Sequence, residues 1–187
     1  MEIDGVAIPE WEETLLFNIP QIQDMVRSLA SSISRNIVSD ESCIIIVGIM
    51  KGALFLTSDL LKALPFDCDY GFVTANSYKG TKSTTMVAVD AHGLKVKGMT
   101  VILVDEICDT GYTLQAVKAK MLGLGAHQVF TCVLLDKPCR REVAMTPDFI
   151  GAQIDNHFVI GYGLDSPEGL QRTLPYIYYQ KPINNVI

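Results

Sequence analysis

Three short stretches of the chain are almost continuously apolar and rich in β-branched residues: CIIIVGIM at 43–50, TVILV at 100–104 and QVFTCVLL at 128–135. Runs of this kind suit strands covered on both faces of a parallel sheet. Between them the apolar residues switch to helical spacing, over 53–64 and again over 112–122, the second run ending at Gly123 and Gly125. Near the N-terminus, Asn18 stands as a helix cap and Pro20 falls in the first turn, followed by Ile22, Val26, Leu29 and Ile33 on one face. Residues 66–75 predict a further strand, and 149–154 and 158–160 two short ones. The polar stretch 76–85, with Gly80 among Ser and Thr residues, predicts a mobile loop of the kind that covers sites. Beyond 160, Gly, Pro and Tyr accumulate without periodicity. The alternation of strand and helix predicts an α/β fold, a mostly parallel central sheet flanked by helices, with ligands collecting beyond the carboxyl ends of the strands.

Composition narrows the classes of function. A length of 187 residues, without repeats or linker-like tracts, predicts one domain with a self-sufficient core. Fifteen Lys and Arg against 21 Asp and Glu leave a net charge of -6, which offers no electrostatic footprint for nucleic acid. The five cysteines, Cys43, Cys68, Cys108, Cys132 and Cys139, form no CxxC pair and no zinc spacing, and are expected as reduced thiols. The acidic N-terminal segment lacks the basic flank of a signal peptide, and no apolar run reaches the ~18 residues of a membrane span, so a soluble cytoplasmic protein is expected.

The chemistry concentrates in VILVDEICDTGYTLQAV, residues 101–117. Four apolar strand residues run into Asp105 and Glu106, and Asp109, Thr110, Gly111, Tyr112 and Thr113 then open a helix. A helix N-terminus presents unpaired N–H groups, and Gly111 allows the backbone to close around a ligand, so the loop reads as a phosphate cradle. In the plainer alternative, Asp109 or Thr110 caps the helix and the acid pair forms a wet strand rim. Three carboxylates beside an anion site nevertheless need a task, such as binding a diol, holding a metal or moving a proton. The string lacks the Lys of a Walker loop and the spaced glycines of a dinucleotide fingerprint.

This string resembles the binding signature of the type I phosphoribosyltransferases, and further strings extend the resemblance to the hypoxanthine-guanine branch of that family. The resemblance implies the family fold, with a core at about 36–165 and a small hood from the two chain ends, within a single domain 1–187. GIMKGALF places Lys51 and Gly52 where the family has its pyrophosphate loop, in which the bond before the glycine can be cis. NSYKGTKST, beginning with Ser77 and Tyr78 after Asn76, is similar to the flexible loop that closes over the reaction centre. In LLDKPCRR, Lys137 matches the lysine that contacts the 6-oxo oxygen of the base. In HFVIGYGLD, Phe158 matches the aromatic stacked on the base and Val159 the residue that reads its edge through the backbone. Asp165 matches an acid of the base end of the site that is linked to magnesium, and Arg172 the pyrophosphate-binding arginine. Arg172 fits the pattern only with a one-residue insertion in DSPEGLQR, and Tyr112 fills a variable loop position.

The resemblance implies an enzyme that uses magnesium to transfer the phosphoribosyl group of 5-phosphoribosyl 1-pyrophosphate to a 6-oxopurine base, hypoxanthine or guanine, with xanthine left open. Asp105 and Glu106 would engage the ribose hydroxyls or water around the metal. Asp109 would be the general base at nitrogen 7, or a purely electrostatic group. A homodimer or homotetramer is the family expectation. Two competitors are a non-catalytic sensor of the same fold and, more remotely, a phospho-acceptor receiver domain, in which DTGYT would have no purpose.

Overall fold

The computed structural model describes residues 2–3, 6–7, 11–37, 43–79 and 85–182. The elements in chain order are β1 (Glu2–Ile3), β2 (Val6–Ala7), β3 (Trp11–Phe17), α1 (Ile19–Asn36), β4 (Ile44–Met50), α2 (Leu54–Ala63), β5 (Asp69–Lys79), β6 (Thr85–Asp90), β7 (Thr100–Cys108), α3 (Tyr112–Gly123), β8 (Gln128–Asp136), β9 (Phe149–Gln153), β10 (Phe158–Ile160) and β11 (Ile177–Pro182). A six-stranded sheet runs β6-β5-β4-β7-β8-β9, parallel throughout except for β6.

The apolar runs are the three central strands, and their alternation feeds two cores. Ile44, Ile46, Ile102, Val104 and Leu134 point into the core under α1 and α2, while Ile45, Val47, Val101, Leu103 and Val133 point into the one under α3. α1 begins as the sequence implies: Asn18 accepts from the Gln21 N–H and Gln21 answers to the Asn18 N–H, a closed capping box.

Two expectations need correction. The residues read as a mobile loop, 76–85, are in large part strand, because β5 continues to Lys79 and pairs antiparallel with β6 from Thr85, Ser77 opposite Val87 and Tyr78 opposite Met86. Ladder hydrogen bonds come from the backbone and do not need apolar side chains, so a polar edge hairpin shows no periodicity. Residues 80–84, which carry the rest of that expectation, lie outside the described residues. The cis bond joins Met50 to Lys51, one residue before the bond expected at Gly52. It falls where β4 leaves the sheet, and Gly52 is required for a different reason, given below.

The strand at 158–160 forms, but not in the central sheet. β10 pairs with β11, and β11 with β3, giving a second sheet from both ends of the chain, which we call the hood. No helix among the described residues is long and apolar enough to cross a membrane.

Candidate active site

The carboxyl ends of β4 and β7 and the N-terminus of α3 converge on a cavity of about 270 Å³. Its wall includes Lys51, Gly52, Asp105, Glu106, Asp109, Thr110, Gly111, Thr113 and Arg172. Ile49, Ile107 and Leu114 supply the apolar part. Parallel register brings the strand ends level: Gly48 of β4 lies beside Val104 of β7, and Cys108 of β7 beside Asp136 of β8.

The loop between β7 and α3 is a helix entry without a side-chain cap. Gly111 is the N-cap residue at φ 93, in the left-handed region where a Cβ is costly, and no side chain bonds the first turn. The capping alternative for Asp109 and Thr110 is therefore not realised. The first N–H groups of α3 have no partner within the helix, and their positive dipole end faces the cavity. Asp109 turns instead toward cations: Arg140 Nε donates to its Oδ1 at 3.2 Å, and Lys137 Nζ lies 3.8 Å from its Oδ2.

The acid pair is largely enclosed, Asp105 buried and Glu106 half-buried. Burial drives the Asp105 carboxyl well above the usual carboxylate range, with the neighbouring Glu106 adding to the effect. Burial likewise raises Glu106, whose Oε2 has no hydrogen-bond partner among the described residues. Burial lowers Lys137, and the Asp109 carboxylate partly offsets that shift. The Cys108 thiol, pushed up to about 12 by burial, stays protonated at neutral pH. Cys68, Cys108, Cys132 and Cys139 are free thiols.

Gly52 and Gly163 explain how the two loops meet. A Cβ on Gly52 would fall 1.9 Å from Glu106 Oε1, so only glycine lets the acid lie against this turn. Gly163, at φ 101, brings its own backbone against Gly52, where an added Cβ would stand 2.0 Å from the Gly52 carbonyl oxygen. The Gly163 N–H donates to the Arg172 carbonyl at 2.9 Å, and the Arg172 guanidinium returns a bond to the Gly163 carbonyl and pairs with Asp165. This interlock holds Arg172 at the cavity wall.

Other residues singled out in the sequence stand around the cavity rather than in its wall. Lys137 is 5 % exposed and reaches the loop through Asp109. Asp165 reaches the wall through Arg172. Phe158 leaves its ring 43 % exposed on β10, while Val159 is buried. β10 is an edge strand, so one row of its backbone donors and acceptors lacks a ladder partner in the hood. Tyr112 is half-buried at the start of α3, and Ser77 and Tyr78 lie on β5. Sequence reasoning passed over Ile107, an apolar residue between two acids that lines the cavity, and Arg140 and Arg141. The only signal for them was position, beside Asp109 and after Lys137.

Fold and site together define a class. The model of the phosphoribosyl transferase domain matches residues 13–167, and the chain belongs to that family. Within it, the chain is 37% identical over 166 residues to the hypoxanthine-guanine phosphoribosyltransferase of Aquifex aeolicus, covering 88% of this chain and 92% of that protein. It is 33% identical over 177 residues to the hypoxanthine phosphoribosyltransferase of Escherichia coli, covering 92% of each. A hypoxanthine-guanine phosphoribosyltransferase structure from Bacillus anthracis superposes with a TM-score of 0.80 at 31% identity, over 92% of this chain and all of that one (100%).

Proposed function

We propose that the chain is a purine salvage enzyme that transfers the 5-phosphoribosyl group from 5-phosphoribosyl 1-pyrophosphate to hypoxanthine or guanine. The products are the nucleoside monophosphate and pyrophosphate. The observation that carries this reading is the convergence of an uncapped helix N-terminus, a largely enclosed acid pair, the Lys51–Gly52 turn and Arg172 on one cavity. Relatives named for hypoxanthine and guanine support the choice of base.

The sugar phosphate of the donor sits on the Asp109–Thr113 loop, where backbone N–H groups and the Thr110 and Thr113 hydroxyls meet its oxygens. Lys51, Gly52 and Arg172 take the pyrophosphate. Asp105 and Glu106 engage the ribose hydroxyls. The base lies against Phe158 with its 6-oxo oxygen toward Lys137, and Val159 meets its edge through backbone groups. The ring nitrogen attacks the anomeric carbon as the bond to pyrophosphate breaks, and the proton on nitrogen 7 passes to Asp109. Ser77 and Tyr78 belong to the hairpin that closes over the sugar, keeping water from an oxocarbenium-like carbon.

A magnesium ion fits the donors present. Glu106 Oε2 is buried without a partner among the described residues, and hard cations take oxygen ligands. Among the described residues no group of three or more His, Cys, Asp or Glu could hold a metal by itself, so substrate oxygens would complete the shell with Asp105, Glu106 and Asp165. When bound, the ion supplies charge neutralisation at the leaving pyrophosphate. The resemblance supports a homodimer or homotetramer.

The test is a spectrophotometric assay of hypoxanthine, guanine and xanthine with the donor, with magnesium and with excess chelator. Turnover of hypoxanthine or guanine that chelation abolishes and magnesium restores is expected. Donor binding without turnover would make the chain a sensor of the same fold, and full activity in chelator would remove the metal.

A further inference from the structure

The ligand-facing side of the β7–α3 loop rests on a side chain that has no role in the account above. After β8 the chain makes a single 3-10 turn (Pro138–Arg140), and Arg141 sends its side chain back beneath the loop. One guanidinium nitrogen donates to the Asp109 carbonyl and meets the Cys108 sulfur, while the other pairs with Asp136. The pair is enclosed, with side-chain exposures of 15% for Arg141 and 3% for Asp136. The aliphatic stem lies under Gly111, where an added Cβ would come within 3.0 Å of Arg141 Cδ. Backbone bonds flank this contact: Lys137 N–H to the Cys108 carbonyl at 2.9 Å, and Glu142 N–H to the Thr110 carbonyl at 3.0 Å. Each residue from Cys108 to Thr110 is thus bonded by the segment 137–142, and Arg141 alone bonds two of them.

A planar fork suits this task in a way a point charge does not. Arginine can bond the Asp136 carboxylate and the Asp109 carbonyl at once in fixed geometry, whereas a lysine ammonium reaches one of them at a time. The Asp109 carbonyl, held from below, sets the peptide plane from which the next N–H groups rise toward the cavity. Resting on the reading of this loop as the sugar-phosphate cradle, we propose that Arg141, braced by Asp136, is a positioning residue that presets the loop for the sugar phosphate. Its loss weakens binding of the ribose phosphate of the donor and spares binding of the purine base.

Two variants test this. Arg141→Lys keeps the charge opposite Asp136 and loses the fork. Arg141→Met with Asp136→Leu removes the ion pair as a unit, which avoids a lone buried carboxylate. Ribose 5-phosphate binding is read by calorimetry, alongside KM for each substrate. In folded variants, ribose 5-phosphate and the donor should weaken by about 10-fold or more while KM for hypoxanthine stays within about two-fold. Lower thermal stability with ribose 5-phosphate binding unchanged would overturn the proposal, leaving Arg141 a structural strut, as would failure of both variants to fold. The proposal and the enzymatic reading fail separately: absent wild-type turnover sinks the reading, whereas unchanged ribose 5-phosphate binding in an active Lys variant sinks the positioning role.

Discussion

Asp109 sits between Arg140 and Lys137, in reach of the cavity but not locked into the helix cap, which leaves its carboxylate available to a ligand proton. Asp109→Asn keeps the shape and the loop and removes the proton acceptor. The rate constant should fall by about 100-fold to 10,000-fold, with donor binding retained. A variant within a few-fold of wild type in kcat would remove Asp109 from the chemistry, as proton acceptor and as charge alike. Asp105 carries a different expectation. A carboxyl whose folded pKa lies above its unfolded value, about 3.9, adds stability below that value. The contribution is lost as pH rises through the raised value. Burial raises Asp105, so ligand-free Asp105→Asn should gain on wild type in urea midpoint as pH climbs from about 4 to about 8. Parallel pH profiles for the two proteins would contradict the buried, strained acid. At this scale Asp105, Glu106, Asp109 and Lys137 were legible, because charges at the ends of apolar strands stand out. Ile107 and Arg141 were not, because an apolar residue in a strand and a cation on a surface-like segment have ordinary explanations.

The strand–loop–helix unit of β7 and α3 owes its shape to Gly111. An alanine there must hold a left-handed backbone, at about 1–2 kcal/mol. Its Cβ would also press on Val143 at 2.9 Å and on Arg141 at 3.0 Å. Gly111→Ala should lower the melting temperature and raise KM for the donor more than KM for hypoxanthine. Equal changes in both constants would show that the loop does not single out the phosphate. β4, β7, β8 and the three helices were readable in advance, since strands buried on both faces and amphipathic or glycine-ended helices leave patterns in the chain. The far half of β5, β6 and the hood strands β3 and β11 were not. They are edge or small-sheet strands with mixed side chains, and their partners lie far away in sequence, Phe17 opposite Ile177 for one.

On the scale of the molecule, Tyr162, which follows β10 of the hood, makes a polar tie to the core. Its hydroxyl donates to Asp59 Oδ2 of α2 at 2.8 Å, and its ring lies near Phe55. Tyr162 adjoins Gly163, whose carbonyl accepts from Arg172, so the same tie steadies the turn against Gly52. Tyr162→Phe keeps the ring and removes one bond to a charged acceptor, which should cost about 1.5–3 kcal/mol in a urea titration. No loss would mean that apolar contacts alone hold the hood.

We propose that one site reads a 6-oxopurine and joins it to the ribose as pyrophosphate leaves. Lys137 has three donors and no acceptor, so it suits the 6-oxo oxygen and meets the 6-amino group of adenine donor to donor. The most direct measurement follows pyrophosphate release by wild-type protein with the donor, magnesium and, in turn, hypoxanthine, guanine, adenine or no base. One pyrophosphate per nucleotide is expected with hypoxanthine or guanine, and kcat/KM for adenine lower by about 10,000-fold or more, as for sites built around a buried hydrogen bond. Efficient adenine turnover, or pyrophosphate release without any base, would contradict the account.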